Sequence, residues 1–343
     1  ITIMSNSGKV WDIREAYKQI RNNAWSRGQR GIFAAGGTPG GVQNVIQYIT
    51  IASTGNATDF GDLSVARQGM AGVGNQTRAV CCGGADPDTN TMEYVTFSSL
   101  GNAADFGDDQ NSLQWKGGGF GSNTRGVWGA GYPGPSNTIS YLTFSSIGDA
   151  IDFGDLTSSR YGPFKGPSGD TTRGLFAGGN TPSASNIIEF VTIATTGNGT
   201  DFGDLLAATG SGAASNSSTK SWFSGGDSSR SNNQVVTTQS LGNSTNWGDL
   251  ATDVSSNAGL SNSERGISGG GDTPSETNVI QYWDLTSSGN AVDFGDLVGA
   301  VRHHTSMSSG HAGLSFEEQR PSVTYMPGSG RGLVQKVGTP FNA

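Results

Sequence analysis

The chain has 343 residues, of which 55 are glycine, and only 14% are charged, giving a formal net charge of −8. Glycine at this level without a Gly-X-Y period excludes collagen, and scarce charge with abundant Ser, Thr and Asn suits short strands and tight turns. An acidic balance with no basic face argues against nucleic acid and anionic membranes as partners. No stretch approaches the roughly 18 apolar residues of a membrane span, so membrane insertion is not expected.

In chain order, residues 1–27 read as an N-terminal arm. No signal-peptide core is read there, and Met4 reads as an ordinary translation start, which would make Ile1–Ile3 upstream residues. Within residues 8–25, Ile13, Tyr17 and Ile20 recur at helical spacing, with Arg14, Glu15, Lys18 and Arg21 on the other side and Asp12 placed to cap. A helix of about three turns is predicted, too short to stand without packing. It packs either on the rest of the chain or on another subunit. Trp11 and Trp25 flank it and join Ile13, Tyr17 and Ile20 as candidate assembly residues.

From Arg30 the sequence is a repeat. Asp-Phe-Gly-Asp begins at Asp59, Asp105, Asp152, Asp201 and Asp293, with Asn-Trp-Gly-Asp at Asn246, and successive copies start 46, 47, 49, 45 and 47 residues apart. Each is preceded by a basic residue leading to a Gly-Gly or near equivalent (Arg30, Arg78, Arg125, Arg173, Lys220, Arg265) and then by an alternating strand such as Asn44–Ile51. A Ser/Thr-x-Gly-Asn/Asp turn and a Gly- and Ser-rich segment, for example Arg67–Gly74, complete the unit. Four short strands per unit at this period predict an all-β propeller of six blades over residues 28–310. The first unit lacks a preceding Gly/Ser-rich segment and the last has one to spare, Val301–Ser309. Pairing that surplus into the first blade would close the ring and remove two exposed sheet edges.

Residues 311–343 read as an extended C-terminal arm. It carries Pro321, Pro327 and Pro340 and the basic residues Arg320, Arg331 and Lys336, and has no period. Arg320, Tyr325 and Arg331 are its candidate assembly residues.

Few residues carry chemistry. Cys81 and Cys82 are adjacent, so on a strand they face opposite ways; a disulfide and a Cys-based zinc site are both excluded by count. His303, His304 and His311 lie in one stretch rather than converging from several blades, so no metal or other cofactor is expected. The paired carboxylates of Asp-Phe-Gly-Asp suit Ca²⁺, but a structural role is favoured. In that reading the Phe packs between blades, the Gly permits a bend and the Asp side chains bond turn backbone. No blade shows chemistry its siblings lack, so no catalytic residue is predicted. The departures are aromatic: Trp115, Phe120, Trp128, Tyr132 and Tyr161 would form a ligand patch if exposed, and are packing if buried.

Two resemblances follow from these motifs. The order Leu175–Gly179, then Phe190, then Phe202 resembles kelch repeats, although the last aromatic, usually Trp in kelch, is Phe in five copies and Trp247 in one. This resemblance implies a six-bladed propeller and leaves function open. The Trp-Asp-Ile-Arg-Glu tract at Trp11–Glu15, followed by repeats of the kind Asn44-Val-Ile-Gln-Tyr48, resembles structural proteins of tailed, marine cyanobacterial bacteriophages. It implies a non-enzymatic virion component: tail fibre, collar or capsid decoration. The propeller would be a rigid display or host-recognition platform, and the arms would bind other virion proteins or copies of itself. A host-surface glycan is a further expected partner. The alternative is a stand-alone, lectin-like carbohydrate-binding propeller.

Overall fold

A computed structural model describes residues 3–4, 10–11, 29–112, 115–227 and 231–313. The repeat folds into six antiparallel sheets arranged as a six-bladed propeller. Blade two is typical: Ala71–Gly74, Arg78–Gly84, Thr89–Thr96 and Ala104–Asp108 run from the axis outward as successive neighbours. Blades three, five and six repeat this order, from Gly117–Gly121, Ala213–Asn216 and Ala258–Ser261 outward. Blade four pairs only Arg173–Ala177, Ile187–Thr192 and Thr200–Asp204, and an irregular segment takes the innermost place.

Blade one is composite. Its innermost strand is Thr305–Ser308, which pairs antiparallel with Arg30–Thr38, setting Thr305 opposite Ala34 and Ser308 opposite Gly31. The two ends of the ring are therefore held by one sheet, and neither innermost edge is left open. Beyond it, His311–Gly313 crosses the end of the axis. The amide of Ala312 donates to Asn216 Oδ1 in blade five at 2.8 Å, and buried His311 faces Gly121 of blade three.

The core lies in the six interfaces between blades. Each contains the aromatic of the repeated tetrapeptide, from Phe106, 1% exposed, to Trp247, 9% exposed. In five blades this ring meets a middle-strand aromatic edge to face, as in Tyr48–Phe60 and Tyr94–Phe106. The repeated basic residue caps the stack, with Arg30, Arg78, Arg125, Arg173 and Arg265 lying 4.3 to 4.9 Å from those ring centroids. Blade five substitutes Lys220 over Trp247, which packs on Trp222. The Arg also ties blades together: Arg78 Nη1 donates to Phe144 O of blade three at 2.7 Å. Cys81 and Cys82 enter the cores on opposite sides of blade two, and burial pushes the Cys81 thiol up to about 12.

The tetrapeptide is a docking seat for the next blade's turn. Gly101 and Ala103 donate their amides to Phe60 O and Asp62 O at 2.9 and 2.8 Å, and the amide of Asp62 donates to Asn102 Oδ1 at 3.1 Å. The same three bonds recur at all six junctions, with Asp149 in place of Asn once, and the last joins blade six to Gly55, Asn56 and Ala57 of blade one. The motif glycine is required by this approach. At Gly61, where φ is +148°, a Cβ would lie 2.4 Å from Gly101 O. The expected role of the Asp side chains is corrected here: the junction uses the backbone of the motif and the Asn side chain of the turn, and Asp59 is exposed.

Outside the ring, Ile3–Met4 pairs antiparallel with Val10–Trp11, which puts Trp11 in a short strand just before the predicted helix. The predicted helix with Ile13, Tyr17, Ile20 and Trp25, and the C-terminal arm with Arg320, Tyr325 and Arg331, lie outside the described residues.

Candidate ligand site at the propeller axis

One face of the ring is built from six equivalent residues just before the innermost segments: Gly69, Trp115, Gly162, Ser211, Ser256 and His303. All six are left-handed, with φ between +53° and +66°. Their backbones form a closed circle around the axis. Gly69 donates to His303 O (2.8 Å), Gly162 to Trp115 O (2.8 Å), Ser211 to Gly162 O (2.8 Å), Ser256 to Ser211 O (2.6 Å) and His303 to Ser256 O (2.9 Å). The remaining link runs from Lys116 N to Gly69 O at 3.3 Å. Glycine adopts this conformation without penalty, whereas another residue loses about 1–2 kcal/mol. Trp and His are therefore costly choices here, and such strain concentrates at functional sites.

The two bulky members meet. Trp115 and His303 stack edge to face at 4.6 Å across Gly69, where a Cβ would come within 3.1 Å of the indole. They form one wall of a cavity of about 400 Å³ at the mouth of the axis. Blade four supplies Tyr161, Gly162, Lys165 and Asn180, and blade five supplies Ser211 and Asp227. Tyr132 lies outside the lining with its ring 5.6 Å from that of Tyr161. Backbone closes the space below: a Cβ on Gly166 would sit 2.1 Å from Gly259 O and 2.4 Å from Ala214 O.

Lys165 breaks the sixfold pattern. Counting three residues on from each left-handed position gives Gly72, Gly118, Ala214, Gly259 and Ser306 in five blades, and Lys165 in the fourth. The segment bends toward blades five and six, with Lys165 N donating to Gly212 O at 2.8 Å and Lys165 O accepting from Ala214 N at 2.7 Å. Its side chain is 4% exposed and its Nζ has no hydrogen-bond partner among the described residues. Burial alone lowers its pKa from the ordinary 10.5 to about 8. The Nζ lies 6.0 Å from the Trp115 ring centroid. His303 is held down at about 3 by burial and by the neighbouring charges of Lys165 and Arg302, so its imidazole is neutral at physiological pH.

Of the aromatic residues singled out in the sequence, Trp115 and Tyr161 line this cavity and Tyr132 stands beside it. Phe120 and Trp128 lie elsewhere, buried in blade interfaces against Phe176 and hydrogen-bonded to Asp109. The sequence reading found no blade with distinctive chemistry and missed Lys165 and His303 as neighbours of Trp115. The available signal was a lone Lys at a position held by Gly, Ala or Ser in every other copy. Among the described residues no group of three or more His, Cys, Asp or Glu is placed to hold a metal, and no helix is long and apolar enough to cross a membrane. No protein-family model matches the chain, and no curated protein matches it.

Proposed function

We propose that this chain is a non-enzymatic structural protein of a virion, in which a kelch-related propeller displays a recognition site and the terminal arms attach it to other virion proteins or to copies of itself. The six-bladed fold is compatible with a structural or binding platform. One observation carries the reading further. The axial cavity opens where the innermost segments begin, at His303 and its five counterparts. The chain enters the ring at Gln29 and Arg30, beside Ser308, and passes His311–Gly313 at the other end of the same strands. The residues before 29 and after 313 therefore join the propeller on the face opposite the cavity. On this reading the cavity face serves display and the opposite face attachment.

The uniform interfaces support a rigid platform, since the same three bonds join every blade to the next and the tetrapeptide aromatic is buried at each interface. The test uses light scattering of the full chain together with immunogold labelling of virus particles. Assembly into a defined oligomer and label on the particles are expected. A monomer that neither binds nor labels particles refutes the proposal. The second reading, a lectin-like propeller acting alone, draws on the aromatic lining by Trp115 and Tyr161. Glycan binding by a stable monomer would favour it.

A further inference from the structure

Four Lys and Arg side chains are buried among the described residues: Arg67, Lys116, Arg160 and Lys165. The first three each have a carboxylate: Arg67 pairs with Glu93 at 2.7 Å, Lys116 with Asp109 and Arg160 with Glu189. This is what burial of charge requires, because an unpaired ion out of water is strongly disfavoured. Lys165 lacks such a partner among the described residues, and no carboxylate contributes to the perturbation of its ammonium. It is also the one buried cation on the wall of the axial cavity.

The rest of the lining narrows what the missing partner is. A single ammonium matches one carboxylate; a phosphate dianion or a nucleotide would call for several cations. Trp115 and Tyr161 offer flat apolar surface, while Asn180, Ser211 and Asp227 offer hydrogen-bonding groups suited to hydroxyls. A fatty acid would find too much polarity here, and the cavity of about 400 Å³ accommodates a sugar ring. We propose that the axial cavity binds an acidic sugar, its carboxylate seated on Lys165 and its ring laid against Trp115. This inference rests on the reading of the cavity as the displayed recognition site. The flexible four-carbon stem of Lys165 allows the ammonium to turn from beneath the indole toward the ligand.

The experiment is titration calorimetry of the full chain with galacturonate, glucuronate and N-acetylneuraminate, alongside galactose, glucose and acetate. At least one acidic sugar should bind, with the matching neutral sugar and acetate each at least about tenfold weaker; the uronate and neuraminate arms tell the two acid types apart. Lys165→Met should abolish binding, and Trp115→Ala should weaken it about tenfold or more. Lys165→Arg, which keeps the charge, should retain part of it. Thermal melting of each variant separates lost binding from lost fold. Equal binding of neutral and acidic sugars, or undiminished binding by folded Lys165→Met, overturns the acidic assignment and leaves the cavity as a ligand site. Failure of all six compounds overturns both.

Discussion

Replacing Lys165 with Met should make the unliganded protein more stable. The side chain is 4% exposed and its pKa falls from 10.5 to about 8 through burial alone, a difference equivalent to about 3 kcal/mol. That is the cost of keeping the folded state charged at pH 7, and a Met of similar length, unbranched and apolar, removes it. Between pH 8 and 10.5 the unfolded chain binds more protons at this site than the folded one, so wild-type stability rises through that window. The advantage of Lys165→Met should accordingly shrink from about 3 kcal/mol at pH 7 to about 1.5 kcal/mol at pH 9.5. The neighbouring imidazoles of His303 and His304 titrate near 3, well below this window. Urea unfolding of both proteins at the two pH values measures the gap. A destabilised variant, or a gap independent of pH, would refute the reading of Lys165 as an uncompensated buried cation. A residue that lowers stability in this way while facing a cavity is the kind retained for binding.

Three further outcomes are expected. Gly203→Ala places a Cβ 2.4 Å from Gly242 O at φ +148° and should cost more than about 2 kcal/mol, whereas Gly289→Ala, with nothing within 4 Å, should change the urea midpoint little. Breaking the buried pair between Arg160, at the end of blade three's outer strand, and Glu189 of blade four by Arg160→Val or Glu189→Gln alone should cost about 3–5 kcal/mol. The double variant should recover most of that, because blade six carries Val254 and Gln281 at these positions and Gln281 Oε1 still accepts from Ala251 N at 2.7 Å; a double variant no better than the singles would show that the two sites are not interchangeable. Asn290→Ala removes one exposed side-chain bond to the Asp249 amide at 3.0 Å, and a loss of about 1 kcal/mol in the same assay is expected.

The repeat made the scaffold legible because its signals are local and recur six times. Alternation marked the middle strands, and Gly-Asn turns and Asp-Phe-Gly-Asp marked the edges. A motif that repeats must make the same contact each time, so packing between blades could be read before any coordinate. Its detail could not. That the tetrapeptide glycine receives the next blade's turn, with Asn102 or a counterpart closing on the motif's backbone, depends on two segments about 40 residues apart. Asp-Phe-Gly-Asp itself only suggests carboxylate chemistry. The charge pattern of the cores was equally hidden: Arg67 and Arg160 occur where the blade's own middle strand carries Glu93 and Glu189, and Thr209, Val254 and Val301 where it carries Gln. Each choice makes sense only beside its partner.

By itself, then, the sequence determined the blade count, the strand order within each blade and the residues of the interblade stacks, since periodicity and alternation are properties of one dimension. Only the tertiary structure decided where the symmetry fails. Trp115, Lys165 and His303 belong to three different blades and are separated by up to 188 positions. They meet because the ring curves until its last strand joins the sheet of the first blade, bringing six innermost segments to one axis. There the left-handed backbone turns Trp115 and His303 over the mouth, and the bend after Gly162 buries an ammonium that has no hydrogen-bond partner among the described residues.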